Sequence, residues 1–171
     1  NILILFFNCA AQGTASGGSP DKEGPKLISV QPPNGILEIK PDQNISLVFN
    51  ELLDPVSIPA SITLAENYRV KVRGRRIMII PDKTWPENRV LKIYISRKIR
   101  DYQKNIMAEP IQLIYSTGTD IPDGHLSGNI EGYSTGKLIE VGLFTWPIHD
   151  SSIVIQKVEA DENGFFKFGF I

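Results

Sequence analysis

The sequence is poor in the residues that most metal and redox sites need. Its 171 residues include one cysteine and two histidines. One cysteine cannot form a disulfide within the chain, and this set is too small for the usual zinc sites of four cysteine and histidine ligands. We therefore predict no metal site of that kind and no cofactor, and Cys9 needs another explanation.

The chain also lacks an excess of charge of either sign. Eighteen lysines and arginines stand against 19 aspartates and glutamates, a formal net charge of −1. Such a balance creates no overall field that would concentrate a nucleic acid. We predict no nucleic-acid partner.

Motifs that would indicate catalysis are scarce. There is no phosphate-binding G-x-x-x-x-G-K-[ST] loop, and His125 and His149 stand apart from each other and from Cys9. Glu51 and Asp54 could act as paired carboxylates, but acid–base catalysis also needs a cleft that the sequence does not reveal. We assign no catalytic residue and predict that the chain is not an enzyme.

The first nine residues contain a short apolar run, Ile2 to Phe7. A helix needs roughly 20 apolar residues to cross a bilayer core, so this run is too short. It fits the end of the apolar region of a signal peptide, whose charged front we expect upstream of Asn1. The alternative is that Cys9 is a small buried residue at the start of a core strand.

The letters LFFNC, followed by two alanines, resemble the lipobox of bacterial lipoproteins. The resemblance implies that residues 1–9 are a signal-peptide remnant and that Cys9 is lipidated, so the membrane is a partner through a lipid anchor. Ala10 and Ala11 lack the aspartate that commonly retains lipoproteins at the inner membrane. This implies an outer-membrane lipoprotein, facing the periplasm or displayed outside.

Residues 10–25 are small, polar and rich in glycine, serine and proline. This composition is typical of a flexible linker, with a reach of about 20–25 Å for such a length. We predict a tether between the anchor and a folded domain.

From Lys26 onwards the chain consists of short apolar–polar alternating runs separated by proline, glycine and asparagine. Alternation with period two predicts antiparallel strands, and their spacing predicts an all-β sandwich. Gly74 separates two such runs and predicts a hairpin. The runs are KLISVQ, ISLVFN, YRVKVRG, RRIMIIP, VLKIYIS and IQLIYST.

Arg73, Arg75 and Arg76 cluster at the tip of this predicted hairpin. A basic tip can contact phosphate or an acidic glycan. The interpretation that we prefer from the sequence is a solvated turn whose charges protect a sheet edge.

Residues 26–119 resemble the bacterial Ig-like domain of S-layer and other cell-envelope proteins. The resemblance implies an Ig-like antiparallel β-sandwich and an envelope location, and it says little about function. Lys104 stands where the family usually has glycine, which leaves the shape of that turn open. The matching positions are Pro33, Asn34, Gly35, Phe49, Glu51, Asp54, Asp101, Asn105, Ser116, Thr117 and Gly118.

Residues 120–171 resemble the start of a carboxypeptidase-regulatory-like, transthyretin-like β-sandwich. Asp161, Asn163 and Gly164 match the acidic turn of that family before an aromatic strand. Four strands bury too little surface to be stable alone. We therefore expect a truncated domain in a fragment, with further strands beyond Ile171.

Two pairs of residues are weak candidates for binding. Asp120 and Asp123 flank a proline in the link between the domains and could share a calcium ion. Trp85 and Trp146 each precede a proline and could stack on sugar rings, or pack over a core edge.

The sequence favours a non-catalytic, lipid-anchored cell-envelope protein that serves as an Ig-like spacer, adhesion or assembly module. Its protein or glycan partner is unknown. One alternative is a glycan- or calcium-binding module. Another is a pair of accessory domains of a larger envelope enzyme whose catalytic part lies outside this sequence.

Overall fold

A computed structural model describes residues 19–132, 137–147 and 154–171. This part of the chain is all-β, with eleven strands and two short 3-10 helices, which confirms the predicted fold class. The strands are β1 Leu27–Gln31, β2 Ile45–Phe49, β3 Ile62–Thr63, β4 Tyr68–Arg73, β5 Arg76–Pro81, β6 Val90–Ile95, β7 Ile111–Ser116, β8 His125–Asn129, β9 Glu140–Leu143, β10 Gln156–Glu159 and β11 Phe165–Gly169. The helices are Pro55–Ser57 and Pro59–Ser61. None of the described helices has the length and apolar character to span a bilayer.

Strands β1 to β7 form two antiparallel sheets, in the orders β1-β2-β5-β4 and β3-β6-β7. Successive side chains of a strand point to opposite faces, so alternate apolar residues share one buried face. The core consists mainly of such residues from β2, β5, β6 and β7, together with Trp85. Its fully buried members include Ile45, Leu47, Phe49, Ile77, Ile79, Leu91, Ile93 and Tyr115.

The predicted hairpin at Gly74 is confirmed. β4 pairs antiparallel with β5, and Arg73 lies directly opposite Arg76. Gly74, the first of the two turn residues, has a φ of +60°. A side chain is rarely accommodated in that region of backbone space, and glycine enters it without steric cost.

The folded region begins earlier than the predicted boundary at Lys26. Pro25 is buried, and the Asn105 Nδ2 donates to the carbonyl of Asp21 at 3.1 Å. A Cβ atom on Gly24 would lie 1.8 Å from the carbonyl oxygen of Ile106. The last residues of the predicted tether therefore pack on the domain, while residues 10–18 and Cys9 lie outside the described residues.

Residues 120–171, which we call the C-terminal unit, contribute two two-stranded antiparallel sheets, β8 with β11 and β9 with β10. The acidic turn before β11 forms as predicted. Asp161 Oδ1 accepts from the amides of Asn163 and Phe165 at 2.8 and 2.9 Å, and Gly164 has a φ of +85°.

Candidate functional site

The C-terminal unit lies on the outer face of the β3-β6-β7 sheet. On this face Lys92 is paired with Ile114 and Tyr94 with Gln112, while the intervening residues of β6 face the core. Ile114 is fully buried although it lies outside the core of the sandwich. Lys92, Tyr94 and Gln112 all form hydrogen bonds with the C-terminal unit, which therefore covers this face. We call the contact region the junction.

Side chains of the sheet bind the backbone of β11 at the junction. Gln112 Nε2 donates to the carbonyl of Lys167 at 2.5 Å, and its Oε1 accepts from the amide of Gly169 at 3.0 Å. Lys92 Nζ donates to the carbonyl of Phe170. One glutamine thus satisfies both a donor and an acceptor of the same strand, which fixes the position of β11 along the sheet.

A buried carboxylate lies at the centre of the junction. Glu159 is 7% exposed. Its Oε1 accepts from Ser96 Oγ and its Oε2 from the amide of Arg97, both at 2.7 Å. The Glu159 amide donates to Tyr94 Oη at 2.5 Å. A buried carboxylate is tolerated only when such donors replace its water shell.

Arg97 connects the same two parts of the chain. It is 2% exposed, and its guanidinium donates to the carbonyl of Met107 through Nε and to the carbonyl of Ala160 through Nη1, both at 3.0 Å. A cation and an anion are therefore buried in one junction, each held by hydrogen bonds. We refer to Ser96, Arg97 and Glu159 as the buried clamp. Burial, with the Glu159 charge as a smaller cause, raises the pKa of Tyr94 far above its usual range.

Two clefts flank the junction, with volumes of about 570 and 360 Å³. Tyr94 and Lys157 line the larger, and Asp123, His125 and Phe165 line the smaller. Asp123 is thus at a cleft, whereas the Asp120 carboxylate accepts from Thr119 Oγ1 at 3.2 Å on the surface. The structure does not bring the two calcium candidates into a group of three carboxylate or histidine ligands among the described residues.

Three other carboxylates do come together, at the N-terminal end of the folded region. Asp21, Glu51 and Asp101 place one oxygen each within 4.8 Å of one another. The Asn105 amide and Nδ2 both donate to Asp101 at 2.8 Å. Carboxylate oxygens grouped in this way could coordinate a divalent cation. Asp21 could not be recognised from the sequence as part of this group, because it falls within the predicted tether.

Glu51 and Asp54, the carboxylate pair that the sequence allowed, lie in surroundings of opposite charge. Burial, followed by the nearby charges of Asp101 and Asp21, raises the pKa of Glu51. Asp54 instead accepts from Lys104 Nζ at 2.7 Å and lies 3.7 Å from the Arg100 guanidinium.

The hydrogen bond from Lys104 holds the pKa of Asp54 below its usual value. Lys104 adopts a φ of +75°, so the family's turn keeps a glycine-like conformation although a lysine occupies it. The side chain that replaces glycine here reaches back to Asp54 and supplies its counter-charge.

These opposite environments predict opposite pH effects on stability. Because the folded-state pKa of Glu51 is raised, its charge destabilises the fold at neutral pH, and Glu51→Gln should raise the free energy of unfolding by about 0.5 kcal/mol. That gain should vanish as the pH falls below the normal range of a glutamate. Asp54→Asn keeps an acceptor for the Val56 amide but loses the ion pairs, so it should lower the melting temperature at pH 7.

Melting curves of the two variants between pH 2.5 and 7 test this prediction. The stabilising effect of Asp54 should disappear only at low pH, once its depressed folded-state pKa has been passed and the carboxyl is protonated. A destabilised Glu51→Gln protein at pH 7 would contradict the electrostatic interpretation of this cluster.

The two tryptophans lie in very different places. Trp85 is 1% exposed, and its Nε1 donates to the carbonyl of Gln43 at 2.7 Å. A ring buried in the core cannot stack on a sugar, so the predicted sugar contact of Trp85 is wrong. The alternative, in which this ring packs against the core, holds. Trp146 is 88% exposed, and its predicted sugar contact stays a prediction. His149 lies outside the described residues.

Residues 132–136 read GYSTG, a G-x-S-x-G pattern that was overlooked in the search for catalytic motifs. In hydrolases this pattern places a nucleophilic serine on a turn between a strand and a helix. Here the flanking described elements are β8 and β9, both in antiparallel sheets. Residues 133–136 lie outside the described residues, and we assign no catalytic role to the pattern.

Comparisons with solved structures found distant matches. An L,D-transpeptidase from Mycobacterium smegmatis is 11% identical with a TM-score of 0.41, over 80% of this chain and 73% of that one. The S-layer protein rSbsC(31-844) is 17% identical with a TM-score of 0.37, over 67% of this chain and 16% of that one. No curated protein matches the chain.

A comparison with family profiles gave a match that covers more than half of the chain. Residues 21–117 match the bacterial Ig-like domain, and the match begins within the predicted tether, where the folded region also begins. Domains of this kind are typically non-catalytic modules associated with the cell envelope. The chain belongs to the bacterial Ig-like domain family.

Proposed function

We propose that this protein is a lipid-anchored spacer of the bacterial cell envelope, in which the Ig-like domain and the C-terminal unit act together as one rigid adhesion or assembly module. The observation that carries the proposal is the buried clamp at the junction. Neighbouring domains move relative to each other unless their interface is large or specifically fixed. Here the contacts argue for a fixed orientation.

The clamp supports a rigid arrangement because its hydrogen bonds have directions that only one orientation satisfies. Rotation of the C-terminal unit would separate Glu159 from the Ser96 hydroxyl and the Arg97 amide. It would also break the hydrogen bonds of Gln112 with the backbone of β11. Unmade hydrogen bonds of a buried carboxylate are costly, so the bound orientation is strongly favoured. A spacer needs this property, because its reach depends on its shape.

The anchor at Cys9 is the second part of the proposal. It is supported by the lipobox-like letters before Cys9 and by the envelope association of bacterial Ig-like domains. Several acyl chains give a stable anchor, at about 0.8 kcal/mol for each buried methylene. We infer an outer-membrane position, and a carboxypeptidase-regulatory-like fold for residues 120–171.

Replacement of the lipidated residue tests the anchor. In cells that express the protein with its own export signal, Cys9→Ala should move it from the membrane fraction to the soluble fraction, because the only thiol that can accept a lipid is removed. Ser16→Ala, a small change in the same tether, should leave the fractionation unchanged. An unaltered membrane association of Cys9→Ala would rule out the lipid anchor.

A further inference from the structure

One face of the hairpin β4–β5 carries a row of positive charge that is longer than the tip seen in the sequence. Along β4 the side chains of Val70 and Val72 pack against the core, whereas Arg69, Lys71 and Arg73 alternate with them and are exposed. The three cations therefore point away from the sandwich on the same side of one strand.

The hairpin register extends this row. Arg73 lies directly opposite Arg76, and Arg75 occupies the turn between them. We call Arg69, Lys71, Arg73, Arg75 and Arg76 the basic stripe. Like charges directly opposite each other on neighbouring strands destabilise a hairpin. Protection of an edge strand requires charged side chains, but it does not require two like charges directly opposite each other. Edge protection therefore accounts for only part of the stripe.

The surroundings of the stripe leave its charge largely uncompensated. Next to it, the outer face of β5 presents Met78 opposite Lys71 and Ile80 opposite Arg69, both uncharged. Among the described residues, the acidic partner of the stripe is Asp82, at 3.6 Å from Arg69 and with both side chains more than half exposed. Exposed pairs of this kind contribute little.

From this arrangement we propose that the basic stripe binds a linear anionic glycan of the cell envelope. Alternate residues of a strand are about 6.5–7 Å apart, so Arg69, Lys71 and Arg73 offer evenly spaced cations along one line. Arg76 and Arg75 lie at the turn end of this line, where Arg75 Nη1 donates to the carbonyl of Asn50 at 3.3 Å. An extended polymer with a negative charge on each repeat can contact several of them at once. The choice of a glycan as the anionic polymer rests on the proposed envelope location. The match between the positive stripe and a negatively charged polymer is independent of that location.

Two other polyanions fit the stripe less well. Proteins that hold single-stranded nucleic acids combine cations with exposed aromatic rings on which the bases stack. Within β4 and β5 the aromatic residue is Tyr68, which packs against the core and donates its hydroxyl to the carbonyl of Ile62 at 2.6 Å. A lipid surface would favour a broad basic face with exposed apolar side chains. Met78 and Ile80, beside Lys71 and Arg69, are half-buried, and the exposed Leu52 lies at the turn by Gly74, away from that part of the stripe.

The test uses the 171-residue chain and polygalacturonate, a linear polyuronate, in a calorimetric or fluorescence titration. We expect saturable binding that weakens at least about tenfold between low salt and 0.5 M NaCl. The variant Arg69→Thr/Lys71→Thr/Arg73→Thr keeps residues suited to a strand and should bind at least about tenfold more weakly.

The matched control, Lys22→Thr/Lys40→Thr/Lys98→Thr, removes the same charge from exposed positions on other elements. Its affinity should stay within about twofold of the unmodified chain, because the stripe is intact. If the stripe variant does not fold, as judged by circular dichroism, the single variant Arg73→Thr takes its place and should still weaken binding measurably.

Three results would overturn the proposal. The first is that the unmodified chain does not bind polygalacturonate. The second is that the stripe variant and the control lose affinity for polygalacturonate equally. The third is that oligo(dT) or phosphatidylglycerol vesicles bind more tightly than the polyuronate. None of these results bears on the anchor, because Cys9→Ala fractionation does not depend on the stripe. Conversely, if the protein were found in the soluble fraction of cells, the proposed anchor would fail, but the binding of polygalacturonate to the purified chain would be unaffected.

Discussion

Replacing Glu159 by alanine should lower the free energy of unfolding by about 2–4 kcal/mol and detach the C-terminal unit from the Ig-like domain. The substitution removes the acceptor of the Ser96 hydroxyl and of the Arg97 amide. Both groups are buried, so water replaces the lost acceptor only if the junction opens.

Glu140→Ala is the matched control for this substitution. Glu140 lies directly opposite Glu159 on the neighbouring strand, but its side chain is 59% exposed and forms a surface ion pair with Lys157 at 2.8 Å. Its removal should change the free energy of unfolding by no more than about 0.5 kcal/mol. The two variants therefore differ mainly in burial.

Urea unfolding and small-angle X-ray scattering together measure the effect. A detached C-terminal unit should enlarge the radius of gyration of Glu159→Ala in the absence of denaturant, whereas Glu140→Ala should retain the native value. Equal stabilities and equal scattering for the two variants would show that the clamp does not hold the units together, and the proposal of a rigid spacer would fail with it.

The sandwich could be predicted from the sequence because its determinants are local. The predicted run YRVKVRG contains β4 and the run RRIMIIP contains β5, since period-two alternation places one apolar face in the core. The turn between them depends on one residue, Gly74. Such features need no knowledge of distant parts of the chain.

The junction could not be predicted in the same way, because it joins residues that are far apart in sequence. Ser96 and Glu159 are separated by 63 positions. At alternating positions of a strand, polar side chains such as Gln112 and Lys92 are expected to face water. Here they face a second β unit, and nothing local distinguishes a solvated sheet face from a covered one.

The carboxylate group shows the same limit in another form. Glu51 and Asp101 were identified as family positions, but their approach to Asp21 depends on how the chain before β1 packs. Gly24 permits that packing by lying against Ile106, where a side chain would not fit. A composition typical of linkers hid this contact, because glycine and proline also occur where backbones pack closely.

Trp85→Ala should be strongly destabilising, by about 3–5 kcal/mol. The indole is almost fully buried in the core of the sandwich, and its Nε1 bonds to the carbonyl of Gln43. Truncation would leave a large cavity and an unsatisfied carbonyl. The chain offers a matched control in Trp146, which also precedes a proline but is 88% exposed.

Trp146→Ala should change the free energy of unfolding by no more than about 0.5 kcal/mol, as is usual for surface substitutions. Urea unfolding followed by circular dichroism compares the two variants. Tryptophan fluorescence adds a second reading. Trp85→Ala should retain the red-shifted emission of an exposed indole, and Trp146→Ala the blue-shifted emission of a buried one. A Trp146 variant as unstable as the Trp85 variant would mean that the exposed ring packs against another part of the protein, and its predicted sugar contact would then lose its basis.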